Sequence, residues 1–106
     1  MMEEDEMIKY EMTHSKKNDL TRELNELHDQ ELIKHYKIIS CEFNRLKFTI
    51  TTLENNLLII STDINECYKV EDDETLFENF EQLLNKHSKA YSIQFSKILY
   101  DRLSNL

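Results

Sequence analysis

The sequence contains neither glycine nor proline in its 106 residues. Glycine supplies the positive φ angles of tight hairpins and of phosphate-binding loops, and proline fixes φ in many turns. A glycine-rich nucleotide-binding loop is therefore excluded. Hairpins become less favourable as well, so that helices are the default expectation. A chain of this length is sufficient for one small domain at most.

Positive charge is also scarce, because 13 lysines and arginines stand against 21 acidic residues, for a net charge of −8. Acidic side chains dominate residues 1–12 and 63–81, whereas residues 86–102 are mainly basic. This balance disfavours nucleic-acid binding through a broad basic face. Since charged residues make up 32% of the chain and large apolar residues recur regularly, helices with solvated faces fit better than disorder.

Residues suited to catalysis or metal binding are few. Cys41 and Cys67 form no CxxC motif and have no histidine at ligand spacing. The acidic run at 71–74 lacks the glycine and the alternating oxygen ligands of an EF-hand loop. We therefore predict no enzymatic activity, no metal and no cofactor. The acidic N-terminus without an apolar segment, and the absence of a run of transmembrane length, predict a cytoplasmic setting.

A regular spacing of apolar residues runs through the middle of the chain. Alternating steps of four and three lead from one apolar or aromatic residue to the next over eleven positions, although only 40% of the chain is hydrophobic. Such a 4-3 pattern is typical of a coiled-coil helix. The eleven residues of this predicted seam are Leu32, Tyr36, Ile39, Phe43, Leu46, Ile50, Leu53, Leu57, Ile60, Ile64 and Cys67.

The stretch FTITTLENNLLIISTDI, residues 48–64, also has features of a strand. Phe48, Ile50 and Thr52 alternate with threonines, which suits a pleated sheet. The alternation ends at residues 57–60, where four apolar residues follow one another. On a helix these four residues widen the seam, which indicates packing against more than one other helix. The longer period therefore favours a helix.

A second helix is predicted over about 75–103. Glutamates would occupy the next seam positions within 71–74, and burying unpaired carboxylates is unfavourable. Residues 75–78 then read TLFE, the form of a capping box that begins a helix. Whether the chain turns back at 71–74 or continues as one rod is left open. The second helix adds Phe77, Leu84, Tyr91 and Ile98 to the predicted partner interface.

Together these elements predict an elongated all-α protein without a sheet. Residues 1–18 are expected to form a frayed acidic N-terminus, and residues 19–106 a single coiled-coil domain with a break near 71–74. The first helix would be roughly 54 Å long, too long for the chain to bury its apolar stripe by itself. An exposed stripe of this kind marks an association surface. We therefore predict a non-enzymatic subunit of a hetero-oligomer, with other helical subunits as partners.

Between residues 32 and 98 the pattern resembles the family of subunit two of the biogenesis of lysosome-related organelles complex 1, a family of small coiled-coil proteins. The resemblance implies an elongated hetero-oligomer that acts in endosomal sorting and organelle transport. It also implies a peripheral position on the cytosolic face of endosomes and lysosomes, with only indirect membrane contact and neither nucleic acid nor a small-molecule substrate. The residues that carry it are Tyr36, Leu46, Ile50, Leu53, Ile60, Ile64, Cys67, Val70, Glu71, Phe77 and Glu78, followed by Leu84, Ser88, Lys89, Phe95, Lys97 and Ile98 in the run LNKHSKAYSIQFSKIL.

Two alternatives stand beside this interpretation. Residues 32–53 also resemble the first helix of a small subunit of the fungal DASH kinetochore ring, which would imply microtubule association. A prefoldin-type chaperone subunit would likewise contain two helices and would bind unfolded chains. It requires a hairpin between those helices, for which the four residues at 71–74 are too short.

Overall fold

Strands, not one long helix, occupy the middle of the chain in the computed structural model, which describes residues 4–42, 45–63 and 67–104. A helix precedes a five-stranded antiparallel sheet, and two helices follow it. The strands lie in the sheet in chain order, so that each strand pairs with its neighbour in sequence. The elements are α1 (Glu4–Asp29), β1 (His35–Glu42), β2 (Arg45–Thr51), β3 (Leu57–Asp63), β4 (Tyr68–Val70), β5 (Leu76–Phe77), α2 (Phe80–His87) and α3 (Lys89–Ser104).

The prediction of an all-α fold without a sheet is therefore wrong. Strand β2 shows the reason most clearly, because Leu46, Phe48 and Ile50 are buried while Lys47 and Thr49 between them are exposed or half-exposed. This period of two is that of a strand with one face on a core. The alternation at residues 48–52 was thus the correct signal, and the 4-3 spacing was not.

The 4-3 spacing arises by a different route. A step of four keeps a residue on the same face of a strand, as from Leu46 to Ile50, and both are buried. A step of three changes the face or passes through a turn. Ile39, three residues after Tyr36 and at the register shift of β1, and Leu57, three residues before the buried Ile60, consequently face away from the core and are exposed. The predicted seam is therefore divided between the two faces of a sheet and does not form a continuous stripe.

The turns of the sheet are built without glycine. Asn55 between β2 and β3 has a φ of 69°, as has Asp72 between β4 and β5, and Glu31 before β1 has a φ of 59°. Asparagine and aspartate tolerate this left-handed region better than most residues. The expectation that a chain without glycine avoids hairpins was wrong because these side chains took its place. Residues 71–74, expected to interrupt a helix, contain one of these turns.

One core lies between the helices and one face of the sheet. Leu20 and Leu24 of α1 are buried there together with residues of β2, β3 and β4. Three aromatic rings meet at its centre. Phe48 contacts Tyr68 and Phe80 edge to face, with ring centroids 6.1 and 5.9 Å apart, and Tyr68 stacks on Phe80 at 4.6 Å. The opposite face of the sheet carries exposed and half-exposed side chains.

The C-terminal helical region begins later than predicted and contains a break. The side chain of Asn79, not that of Thr75, caps α2, since its Oδ1 accepts a hydrogen bond of 2.9 Å from the backbone N–H of Gln82. The predicted capping box at 75–78 is therefore wrong, and β5 occupies part of it. Ser88 separates α2 from α3. At the other end of the chain, α1 already begins at Glu4, within the segment expected to be frayed.

Candidate functional site

The last helix, α3, presents apolar side chains on two sides. Tyr91, Phe95 and Ile98 follow one another at steps of four and three, and they pack against the core. Ile93, Tyr100 and Leu103 lie on the opposite side and are 72%, 71% and 68% exposed, respectively, with Leu99 exposed next to them. We call these four residues the outer face of α3. Exposed apolar residues concentrated on one helix face are typical of a segment that binds in a partner's groove.

The start of α3 is held by the turn between β2 and β3. The Ser88 hydroxyl donates a hydrogen bond of 2.6 Å to one carboxylate oxygen of Glu54, and the backbone N–H of Ala90 donates one of 3.1 Å to the other. Ser88 Oγ also accepts a bond of 3.1 Å from the Tyr91 N–H. A serine and a carboxylate thus satisfy N–H groups that a helix N-terminus otherwise leaves unpaired.

This arrangement changes the acidity of Glu54. The hydrogen bond from Ser88 lowers the pKa of the Glu54 carboxyl below its ordinary value, and the backbone N–H of Ala90 lowers it further. The charged carboxylate at the start of a helix is also favoured by the helix dipole. The sheet therefore fixes the direction of α3 through a charge-assisted contact.

The far half of α3 leaves the core. Residues 99–104 are all exposed, whereas the first half is tied to α2 by a hydrogen bond of 2.7 Å from Ser92 Oγ to Asn85 Oδ1. Within that first half, the rings of Tyr91 and Phe95 stack with their centroids 5.7 Å apart. Lys89, Lys97 and Arg102 outnumber the single acid of this helix. Helix α3 as a whole is therefore basic on an acidic protein, and its exposed end, residues 99–104, is apolar with one acid and one arginine.

The residues predicted from sequence to form a partner interface do not come together on one surface. Two of them, Phe43 and Ile64, lie outside the described residues. Those buried in the core of the chain are Leu32, Leu46, Ile50, Ile60, Phe77, Leu84 and Tyr91. Those half-exposed are Tyr36, Leu53, Cys67 and Ile98, and those exposed are Ile39 and Leu57.

Sequence reasoning therefore missed the outer face of α3. From this helix it selected Tyr91 and Ile98, which belong to the inner side. A signal was present, because Ile93 and Tyr100 are seven residues apart and Leu103 follows after three more. A helix that packs on one core needs only one such stripe. The second apolar stripe of α3 was therefore the sign that one of its apolar faces is exposed.

A cluster of charged side chains around Asp73 has a structural role. Asp73 Oδ1 accepts a hydrogen bond of 3.1 Å from Lys86 Nζ, and Asp73 Oδ2 lies 2.9 Å from Lys86 Nζ and 2.8 Å from His87 Nε2. The backbone N–H of Thr75 and the Lys86 ammonium hold the pKa of the Asp73 carboxyl well below its usual range. This carboxylate of the acidic run at 71–74 thus joins the β4–β5 turn to the end of α2. Across 4–42, 45–63 and 67–104, no group of three potential metal ligands is close enough to hold an ion.

Within the same ranges, no helix has both the length and the apolar composition required to cross a membrane. In a comparison with known families, the model of a family described as the GSKIP domain matches residues 22–106. No curated protein and no solved structure matches the chain. The family match overturns the resemblance to the lysosome-related organelle subunit, with the functions implied by it, and it supports neither a DASH subunit nor a prefoldin.

Proposed function

The chain belongs to the GSKIP domain family, and from that premise we propose that it binds a GSK3-type protein kinase through the outer face of α3. The family is named for a GSK3-interacting protein, and its domain is a protein-interaction domain. The partners are therefore not the helical coiled-coil subunits that the sequence pattern predicted. We propose that the chain acts by binding and not by catalysis.

One observation supports α3 as the location of the proposed binding surface. Ile93, Tyr100 and Leu103 are large apolar side chains that remain mostly exposed on an ordered helix. At protein interfaces a few side chains that become buried in a pocket of the partner supply most of the binding free energy. Because α3 is already helical, binding does not have to include the cost of ordering it.

The position of α3 supports the same proposal. Its first half is held by Glu54 and Ser88, while residues 99–104 extend away from the core. A partner groove is thus able to receive the outer face without displacing any core side chain. The lysines and the arginine of α3 would accelerate association with an acidic groove.

Calorimetric titration of the full chain against a purified GSK3-type kinase tests the proposal. Ile93→Asp and Tyr100→Asp each introduce a charge at the centre of the outer face, and we expect each to raise the Kd at least tenfold, about 1.4 kcal/mol. Leu57→Asp is the matched control, because Leu57 is 62% exposed but lies on the sheet. It should bind as the wild type does.

Two results would contradict the proposal. An unmodified chain that does not bind the kinase would exclude this partner. Loss of binding in Leu57→Asp together with normal binding in Tyr100→Asp would exclude this surface and would assign binding to the sheet. Circular dichroism of each variant shows whether the fold is retained.

A further inference from the structure

The face of the sheet turned away from the helices contains a shallow concavity of about 440 Å³. One cross-strand row crosses it: Ser40 of β1 pairs with Lys47 of β2, Lys47 with Ser61 of β3, and Ser61 with Lys69 of β4. All four side chains line the concavity. The order is therefore serine, lysine, serine, lysine, which we call the Ser–Lys row.

Neither lysine of the row has an acidic residue directly opposite it across the strands. Lys47 is opposite two serines, and Lys69 is opposite Ser61 and Leu76. Both lysines are exposed, and the ion pairs of the described residues include neither of them. Since strands are about 4.8 Å apart, their Cα atoms are separated by roughly 10 Å, and the flexible four-carbon stems allow both ammonium groups to approach one anion above Ser61.

Acidic residues lie at both ends of the concavity. Glu42 lines one end, where it pairs across the strands with Arg45. Glu71 and Asp72 line the other end, where the backbone N–H of Glu71 donates a bond of 2.8 Å to the carbonyl of Ile59. The two lysines therefore place positive charge at the centre, while Arg45 accompanies the acid at one end, in a chain whose net charge is −8.

From this distribution of charge we propose that the Ser–Lys row binds the phosphate monoester of a phosphorylated serine or threonine in an extended segment of a partner protein. Two ammonium groups and two hydroxyls are donors that suit the acceptor oxygens and the near-double charge of a phosphate monoester. A single carboxylate has half that charge. The site lies on the face of the sheet that is turned away from α3. Phosphopeptide binding there would be a further activity, in addition to kinase binding.

The acidic ends of the concavity select among phosphate-bearing ligands. Glu42, Glu71 and Asp72 would repel the successive phosphates of a nucleic acid or the surface of an anionic membrane. They would attract basic residues on either side of a single phosphate. The residues that line the concavity include no aromatic ring on which a base could stack. The preferred ligand is thus a phosphopeptide with basic flanking residues.

The test is a titration of the full ¹⁵N-labelled chain, followed by two-dimensional NMR, with a peptide in which one phosphoserine is flanked by arginine and alanine. We expect the amide signals of Lys47, Ser61 and Lys69 to shift, and the unphosphorylated peptide to bind at least tenfold more weakly. Inorganic phosphate should shift the same signals at higher concentration.

Three double variants distinguish a specific effect of this site from an effect of net charge. Lys47→Ala with Lys69→Ala should weaken phosphopeptide binding at least tenfold. Lys89→Ala with Lys97→Ala, both exposed on α3, removes the same charge and should leave binding unchanged. Lys47→Arg with Lys69→Arg should retain most of the affinity for the phosphopeptide.

The proposal is overturned if the two peptides bind equally, or if the Lys47 and Lys69 double variant binds as the wild type does. Tighter binding of a single-stranded oligonucleotide, or of vesicles containing phosphatidylserine, would assign the face to another ligand and would likewise overturn it. Because the row is independent of α3, kinase binding by the unmodified chain would be unaffected by any of these results.

Discussion

The hydroxyl of Ser88 and the carboxylate of Glu54 are joined by a hydrogen bond of 2.6 Å although 34 residues separate them. Ser88 is the junction between α2 and α3, and Glu54 is in the turn between β2 and β3. One contact therefore connects the sheet to the helix whose outer face we propose as the binding surface. The first two predictions concern this pair.

Ser88→Ala should destabilise the protein by about 1 kcal/mol, the usual cost of removing a helix-capping hydroxyl. The substitution leaves the N–H of Tyr91 without its partner and removes the principal hydrogen bond of Glu54. Urea denaturation followed by circular dichroism measures the change. Ser96→Ala, at an exposed position of the same helix, should change the free energy of unfolding by less than about 0.5 kcal/mol.

The contribution of Glu54 to stability should depend on pH. Its pKa in the folded protein lies below the ordinary value of 4.5, so the folded state favours the charged carboxylate. This stabilisation is present above pH 4.5 and is lost as pH falls through the lowered pKa. In Glu54→Gln the free energy of unfolding should therefore decrease less between pH 6 and pH 3 than in the wild type. Parallel curves for the two proteins would contradict the prediction.

Tyr68 should produce an alkaline transition. Burial raises the pKa of its phenol to about 12, and the charge of Glu23 contributes to the shift. The unfolded chain ionises this group from about pH 10, so the unfolded state is favoured as pH rises from 10 to 12. The free energy of unfolding should fall over that interval, and Tyr68→Phe should reduce the fall. Absorbance of ionised tyrosine during the titration provides an independent measurement.

Asp73→Asn should weaken the attachment of the β4–β5 turn to α2. The variant loses the charge that pairs with Lys86 at 2.9 Å, and it loses the dependence on pH that follows from the lowered pKa of Asp73. In the wild type this stabilisation is present above the ordinary pKa of 3.8 and is lost in more acidic solution. Thermal unfolding at pH 7 should occur at a lower temperature in the variant. Asp101→Asn, at an exposed position of α3, is the matched control.

Phe48→Ala tests the sheet interpretation most directly. Phe48 is fully buried and contacts Tyr68 and Phe80, so its removal should cost about 3–5 kcal/mol. Thr49→Ala, one residue further along β2 on the other face, should cost less than about 1 kcal/mol. A helical seam would have given neither residue a core position. Equal effects of the two substitutions would contradict the alternating burial of β2.

Part of this fold was readable from the sequence. The alternation of Phe48, Ile50 and Thr52 is the true pattern of β2, and helix was correctly expected for much of residues 80–104. The strand signal was outweighed by a 4-3 spacing that extends over more residues. Short strands separated by turns produce such spacings by coincidence. The step of four from Leu53 to Leu57 crosses a turn, for example, whereas the step of three from Leu57 to Ile60 lies within β3.

The remaining features depend on contacts between distant residues. Nothing local in the sequence indicates that Glu54 caps a helix beginning at Lys89, or that Asn55 and Asp72 adopt the positive φ that glycine usually provides. The Ser–Lys row is likewise a property of strand register, since its members come from four strands. Register is set by pairing and cannot be counted along one segment.

The order of the strands has a consequence for how the molecule folds. Each strand pairs with its neighbour in the chain, so every step of sheet assembly closes only a short loop and has a small entropic cost. Proteins dominated by such local pairings fold faster than sandwiches and barrels of similar stability. The sheet is thus able to grow one hairpin at a time, and the inner strands β2, β3 and β4 have an unpaired edge for only a short period during folding.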